Sequence, residues 1–324
     1  MSGVTVRNLL VAIIVCSGLA GALAQALAQD FPNRPLRIVA SEAGGGGDFS
    51  ARLIAQHLAA SLGQPVVVEN RGGGVIAGEL VAHAPADGHT LLLYGNTFWL
   101  LPLMRKTMPY DPLTDFVPVT LAARATNVLV VHPSLPVKSV NELIALAKSR
   151  PGALNYGSAA AGTINHLAGE LFKYMAGVDV VRIAYRGTAS VMNALMAGQV
   201  QLMFATSASA TPVVRAGRLR ALAVTSLDRS ALFPQLPTMS ESGLKGFESV
   251  SLHGVFAPAK TPTAIINRLN GSIGQVLGQP EVRERLLGSG VEALSGPPAA
   301  LTTAMNSEIA RMGKVIRAAG IRDD

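Results

Sequence analysis

The chain has 324 residues, of which 49% are hydrophobic and 15% are charged, and its formal net charge is +7. This length is enough for two domains with buried cores, and the composition excludes a disordered chain, which needs low hydrophobicity and high net charge. The 27 lysines and arginines form no basic run, which argues against nucleic-acid binding.

The N-terminal segment 1–28 has the pattern of a cleavable secretory signal. Arg7 precedes the apolar run 9–15, and two A-x-A sites follow, the later ending at Ala28. We expect cleavage there and export to the periplasm; the alternative, an uncleaved anchor, would need a longer apolar run to span about 30 Å of hydrocarbon. Cys16 lies in this segment, so we expect a mature chain without disulfides or thiolate metal sites.

A strand, loop, helix and strand follow in order. Residues 36–40 are an apolar run that ends in the glycine-rich segment 44–48, residues 50–62 have helical apolar spacing, and residues 65–69 are apolar again. Parallel strands joined by a helix indicate an open sheet with its ligand crevice at the carboxyl ends of the strands.

The same pattern recurs in the second half, with a strand at 154–156, a small-residue loop at 157–162 and a helix at 163–175. Further strands are predicted at 90–94, 128–131, 180–184, 200–204, 219–224 and 250–257, and further helices at 140–148, 262–277, 280–287 and 299–318. The sequence therefore predicts an α/β protein with two similar halves.

Each small-residue loop leads from a strand into a helix, where unpaired backbone N–H groups and the helix dipole attract anions. Two such loops facing each other would hold a carboxylate without lysine or arginine. One glycine run alone is weak evidence, since a tight turn explains it equally well. Asp48 is expected to cap its helix or to contact the ligand, and His166 to pack or to contact the ligand.

Other classes of protein lack their sequence signatures here. Glu69 lies where a dinucleotide-binding protein places its ribose-binding acid, but the third glycine of that motif falls on Phe49 or Ser50. Neither G-x-S-x-G nor H-E-x-x-H occurs. We therefore expect no catalytic residues, no metal and no cofactor.

Many short motifs, taken in order, resemble one family. They are the segments 31–39, 44–55, 63–71, 110–112, 132–136, 156–158, 166–172, 185–187, 219–225 and 257–258. In them the chain resembles the tripartite tricarboxylate transporter substrate-binding proteins, also called Bug receptors, over essentially its whole mature length.

The resemblance implies a type II periplasmic binding fold with two lobes, each with a mostly parallel sheet flanked by helices, and a hinge of two crossing strands. Lobe 1 is expected to comprise 29–130 plus 250–324, and lobe 2 to comprise 131–249. It implies a monomeric receptor that captures a small carboxylate for a tripartite membrane transporter. A receptor for a two-component sensor kinase and an exported enzyme of unknown reaction are the alternatives.

Ligand contacts are carried over from the family residue by residue. They fall on Ala43, Gly45, Gly46, Asp48, Ser158, Ala159, Thr163 and His166, with Thr97, Tyr185, Arg186 and Thr206 as weaker candidates. Three departures bear on ligand identity: Ser41-Glu42 replaces apolar or proline residues, and Glu42 would repel an anion if it faced the cleft; Ala205 and Gln201 replace common acids; Leu252-His253 replaces an aromatic pair. Without those acids, amino-acid ligands are disfavoured. Trp99 is expected to be packing.

Overall fold

The computed structural model describes residues 31–41, 43, 46–72 and 74–323. The strands in these residues are β1 Leu36–Ala40, β2 Val66–Asn70, β3 Thr90–Gly95, β4 Phe116–Val131, β5 Asn155–Ser158, β6 Val181–Ala184, β7 Leu202–Thr206, β8 Arg220–Val224, β9 Val250–Pro258 and β10 Glu292–Ala293. The α-helices are α1 Gly46–Leu62, α2 Val75–Ala82, α3 Thr97–Leu100, α4 Val140–Ser149, α5 Ile164–Ala176, α6 Thr188–Met196, α7 Ser207–Arg215, α8 Thr263–Gly278, α9 Pro280–Gly288 and α10 Pro298–Ala318. The predicted signal segment lies outside the described residues.

The first group of strands has the order β2-β1-β3-β9-β4. β1 runs parallel to both β2 and β3, whereas β9 runs antiparallel to β3 and to β4. The β1 residues Ile38, Val39 and Ala40 are fully buried, as is typical of a parallel strand covered on both faces. The carboxyl ends of β1 and β3 therefore meet at one edge of the sheet.

The second group is built on the far half of β4. Residues 116–126 of β4 pair with β9, and residues 127–131 pair with β7 and β8. β5 runs parallel to β6 and β7, and β6 forms the outer edge. β4 is thus shared by both groups and changes partners between Thr126 and Asn127.

The return connection passes from β8 through residues 225–249 into β9. At the point where the two groups meet, Thr225 donates its backbone N–H to the Asn127 carbonyl at 3.0 Å and accepts the Ser249 N–H at 3.0 Å. The Thr225 hydroxyl bonds the Ser249 carbonyl at 2.6 Å. One buried threonine therefore ties the two connections together.

The predicted α/β class and the order of elements are confirmed, and the differences have local reasons. The first half of β4 was not predicted, because it contains Pro118 and its register shifts twice. Helices α2 and α7 were not predicted either. Helix α2 is apolar on most sides and so shows little periodicity, and α7 contains Pro212, which normally argues against a helix. Helix α1 begins at Gly46, earlier than the apolar spacing indicates.

Three clusters of buried side chains form the core. The largest contains an aromatic group in which Phe98 stacks on Tyr110 with ring centroids 5.2 Å apart and Phe256 contacts Trp99 at 6.0 Å. Trp99 is 1% exposed and belongs to this packing. β9 thus places Phe256 in the core, and it places Ser251 and His253 beside the crevice between the strand groups.

Candidate functional site

A cavity of about 610 Å³ lies between the two groups of strands. One wall comes from the first group and α3, and the other comes from the loop before α5. The lining residues are Ser41, Gly74, Tyr94, Gly95, Asn96, Thr97, Leu101, Met104, Ala160, Ala161, Gly162, Thr163, Ile164, Asn165, Leu167, Thr188, Ser251, His253 and Asp323. The crevice therefore lies at the carboxyl ends of β3 and β5, as expected for an open α/β sheet.

The first loop, residues 41–48, connects β1 to α1. Ala43 lies in an exposed turn, Gly46 begins the helix and Gly47 is buried. A Cβ at Gly47 would lie 2.7 Å from the Ser41 hydroxyl, so a larger residue has no room there. Ser41 lines the cavity, and the first helical residues Gly46 and Gly47 lie beside the ring of His253, another lining residue. The first N–H groups of a helix lack intrahelical partners.

Asp48 holds the first loop from behind. Its carboxylate accepts the Asn70 amide at 2.8 Å and the Arg52 Nε at 2.8 Å, and its side chain is 7% exposed. Asn70 also donates to the Ser41 carbonyl at 2.7 Å, and Arg52 donates to the Asn70 oxygen at 2.6 Å. These bonds join α1, the loop and the end of β2, so Asp48 positions the loop.

The second loop, residues 158–163, connects β5 to α5. Arg182 on β6 donates to the Ser158 hydroxyl at 2.7 Å and to the Ala159 carbonyl at 2.9 Å. Thr163 precedes the helix, but its hydroxyl bonds the Ala160 carbonyl at 2.8 Å rather than capping the helix. The unpaired N–H groups of the first turn of α5 are therefore left to face the cavity.

His166 supports the second loop from its buried side. Its Nδ1 accepts the Gly162 N–H at 3.1 Å, and the ring is 4% exposed. Burial and the nearby Arg182 lower the pKa of His166 to about 4, against the opposing effect of Glu170. The histidine is therefore neutral at neutral pH, which its role as an acceptor requires.

Glu170 is the buried acid beneath this loop. Its carboxylate accepts the Tyr156 hydroxyl at 2.5 Å and pairs with Lys173 at 3.2 Å. Burial and the bond to Glu170 raise the pKa of Tyr156 far above its ordinary value, so the phenol stays protonated as a donor. This network fixes α5 against β5.

Asn96 and His253 line the cavity on the side of the first strand group. The sequence marks His253 only as a departure from the family pattern, and it does not mark Asn96. Asn96 accepts the Leu252 N–H at 2.8 Å and donates to the Val250 carbonyl at 2.9 Å and to Glu308. Burial raises the pKa of Glu308 to about 7, although bonds from Asn96 and Trp99 oppose the shift. A polar residue directly after the carboxyl end of β3 was the available signal.

The cavity wall contains little charge. Among the described lining residues there is no lysine or arginine, and the acid is Asp323, whose carboxylate accepts Arg105 Nε at 2.9 Å. Burial lowers the pKa of His253 to about 4, so it is neutral. A bound anion would therefore be met mainly by backbone N–H groups, neutral side chains and the amino terminus of α5.

The predicted site residues are distributed between the cavity wall and the layer behind it. Thr97 and Thr163 line the cavity, whereas Ser158 and Ala159 are buried at the start of the second loop and His166 is buried beneath it, all three outside the lining set. The remaining predicted residues are exposed or half-buried outside the lining set, as for Ala43, Gly46, Tyr185, Arg186 and Thr206, or support the first loop, as for Asp48. Gly45 lies outside the described residues, and the ligand contacts stay predictions.

The three departures fall in different places. Ala205 is fully buried, and the Gln201 side chain accepts the Asn155 N–H at 2.9 Å, so neither lines the cavity. Glu42 lies outside the described residues. Ser41 and His253 are the departures that reach the cavity wall.

Within the described ranges, no group of three or more histidine, cysteine, aspartate or glutamate side chains could hold a metal ion. In the same part of the chain, every helix is too short or too polar to cross a membrane.

Two groups of strands that share a crossing strand and enclose a crevice define a two-lobe binding-protein fold. The sequence model of one protein family, the tripartite tricarboxylate transporter family receptors, matches residues 50–321 of the chain. The chain therefore belongs to this family. The family consists of periplasmic solute-binding receptors.

Similar proteins include receptors with bound carboxylates. BugT of Bordetella pertussis is 37% identical over 321 residues, which cover 97% of this chain and 98% of BugT. The R. palustris protein Rpa4515, solved with adipate, is 40% identical with a TM-score of 0.77, covering 90% of this chain and 99% of that one. MatC from Rhodopseudomonas palustris, solved with malate, is 32% identical with a TM-score of 0.72, covering 88% and 100%.

Proposed function

We propose that this chain is a periplasmic receptor that captures a small carboxylate between its lobes, passes it to a tripartite tricarboxylate-type transporter and catalyses no reaction. The observation that carries the proposal is the cavity wall, which contains the amino-terminal end of α5 and, among the described lining residues, no lysine or arginine. The similar proteins solved with adipate and with malate support a carboxylate as ligand.

Binding is proposed to close a hinge between lobe 1, residues 29–130 plus 250–324, and lobe 2, residues 131–249. The change of β4 partners between Thr126 and Asn127 supports a hinge at that point. In the closed form the carboxylate bridges both loops, and the transporter recognises that form. Export of the chain by cleavage of segment 1–28 belongs to the same proposal.

The proposed ligand contacts are the loop backbones at Ala43, Gly45 and Gly46 and at Ser158, Ala159 and Thr163, with Thr97 on the wall formed by the first strand group. Asp48 and His166 are proposed to act through the loops that they hold, because their polar atoms are already engaged. Tyr185 and Thr206 would reach the ligand only after a change in the angle between the lobes.

Calorimetry with the purified chain beginning at Gln29 tests the proposal. Adipate, malate and citrate are titrated separately, and the ligand is then recovered and weighed by mass spectrometry. We expect one ligand per chain for at least one of these acids, recovered unchanged. Chemical conversion of the acid, or failure to bind any carboxylate in a wider panel, would overturn the proposal.

A loop variant tests the location of the site. Gly162 has a φ of +73°, and a Cβ there would lie 2.9 Å from the Met104 sulfur across the cavity. We expect Gly162→Ala to weaken binding at least about 10-fold, because an L-residue with positive φ is strained by about 1–2 kcal/mol and the new methyl crowds the cavity. Gly217→Ala is the control, since Gly217 has a φ of +67° but open space around it.

A further inference from the structure

His253 has an environment that the binding of one carboxylate between the loops does not explain. It lies on β9, opposite Gly95 of β3, with its ring against the start of α1. A Cβ at Gly95 would lie 3.3 Å from the ring, which is tight, and Cβ atoms at Gly46 and Gly47 would lie 3.7 and 3.8 Å from it, at ordinary contact distance, so the imidazole packs closely between β3 and the start of α1. The ring thus occupies a fitted place in the cavity wall beside the first loop.

The polar atoms of this ring are poorly used. His253 is 7% exposed, and its Nδ1 is buried without a hydrogen-bond partner among the described residues. The Nε2 lies 3.5 Å from the Ser251 hydroxyl, at the limit of a hydrogen bond, and 3.8 Å from a Cβ built on Gly47. Native proteins rarely leave a buried polar side chain so weakly bonded, and functional sites are one common reason when they do.

The charges around His253 are already paired. The start of α1 contributes Asp48 with Arg52 at 2.8 Å, and β4 contributes Arg124 with Glu292 at 2.7 Å. Asp323 in the cavity wall is paired with Arg105. A second carboxylate on a ligand would therefore meet no free cation on the described wall, and His253 is the group there that can become one.

We propose that His253 contacts the second carboxylate of a dicarboxylate ligand and takes up one proton from solvent when that ligand binds. This rests on the proposed function and names the class of ligand: acids with two carboxylates, one between the loops and one at His253. The one bond that forms is the N–H bond at the unprotonated ring nitrogen, with the proton supplied by solvent, and the resulting imidazolium pairs with the carboxylate. Monocarboxylates lose this contact.

The test is calorimetry at pH 6.5 in phosphate and in Tris, because the difference in heat counts the protons taken up. A carboxylate within about 4–6 Å raises a histidine pKa by about 1–3 units, which brings that of His253 from about 4 to as much as about 7, so we expect uptake of up to about 0.8 proton per bound adipate. Hexanoate, with one carboxylate and the same chain length, should give no such uptake.

The variants separate the role of the proton from that of packing. His253→Gln keeps a hydrogen-bond donor but cannot titrate. The number of protons taken up on binding adipate should therefore fall to the contribution of the adipate carboxylates themselves, and the affinity of the variant for adipate should be about 10-fold weaker. Hexanoate affinity should change less than about 2-fold. His83→Gln is the matched control, because His83 is exposed at the end of α2 and lies outside the cavity.

The outcomes distinguish this inference from the proposed function. Equal proton counts for the wild type and His253→Gln would overturn the role of His253 while leaving carboxylate binding intact. Equal weakening of adipate and hexanoate would also overturn it, since that pattern indicates altered packing. Absence of any carboxylate binding to the wild type would overturn the proposed function itself. Melting temperatures within about 3 °C of the wild type establish that the variants are folded.

Discussion

The two loops occupy equivalent places in their strand groups but are held by opposite chemistry. Each is anchored by the neighbouring edge strand: Asn70 ends β2 beside the first loop, and Arg182 lies on β6 beside the second. The first anchor joins an amide, a buried carboxylate and an exposed guanidinium, whereas the second joins a guanidinium to uncharged oxygens. In both strand groups, side chains on the neighbouring edge strand therefore hold the loop in shape.

The second loop depends most on one side chain, and Arg182→Met should have the largest effect. Two charge-assisted bonds are lost, each contributing about 1.5–3 kcal/mol, and the fully buried Ser158 hydroxyl loses its donor. We expect adipate to bind about 100-fold more weakly in calorimetry, because the loop is no longer held in its binding shape.

Arg218→Met is the control for that variant. Arg218 is exposed on the outside of the second strand group, and its replacement also removes one positive charge. Its affinity should match the wild type. If Arg182→Met and Arg218→Met bind adipate equally, the guanidinium does not hold the loop.

Acid should weaken the second anchor through His166. The pKa of His166 is about 4 in the folded chain against 6.5 for an ordinary histidine, so between these values the unfolded chain binds more protons. The stabilisation present above pH 6.5 is therefore lost as pH falls toward 4, by up to about 3 kcal/mol. His253 acts in the same direction, and Glu308, with its raised pKa, acts in the opposite direction.

Urea unfolding at pH 4.5 and pH 7.0 isolates this contribution when the wild type is compared with His166→Gln. The glutamine oxygen can accept the Gly162 N–H but does not titrate, and the effects of His253 and Glu308 cancel in the comparison. We expect the wild type to lose about 2–3 kcal/mol more than the variant on acidification. Parallel losses would show that His166 is not the acid-sensitive group.

The sequence predicts the strand before each loop and the helix after it, because apolar runs that end in small residues mark the carboxyl ends of buried strands. It does not predict their anchors. Asn70 and Arg182 act across strand pairings, and the register that places them beside a loop depends on the packing of the whole sheet. Asp323 reaches the cavity from near the end of the chain, and no local pattern indicates that.

Among the predicted site residues, the structure separates those near the cavity from those that support it. The family pattern marks Asp48 and His166 without distinguishing a ligand contact from a loop support, since both roles need a polar side chain at a helix start. Burial and hydrogen-bond partners make that distinction, and both follow from tertiary packing. Sequence periodicity carries neither kind of information.

Replacing Asn70, the amide that holds the first loop, should weaken adipate binding to an intermediate degree. Asn70→Ala removes the donors to Asp48 and to the Ser41 carbonyl, a loss of about 1.5 kcal/mol when exposure to water is allowed for. We expect about 10-fold weaker adipate binding in calorimetry. Asn141→Ala, at an exposed position on α4, should leave the affinity unchanged. An affinity for Asn70→Ala equal to that control would mean that the first loop keeps its shape without β2.

The smallest effect, and the one that separates the two anchors most clearly, is expected for Arg52→Met. The Arg52 side chain is 54% exposed, and pairs of this kind contribute less than about 1 kcal/mol, so adipate should bind only about 2- to 4-fold more weakly at low salt. Because salt screens exposed charges, this difference should vanish in 0.5 M NaCl, where the Debye length is only about 4 Å. The Arg182→Met deficit should persist there, because Arg182 bonds uncharged oxygens directly and these bonds are little screened. Equal salt dependence of the two variants would show that both loops are held by the same kind of interaction.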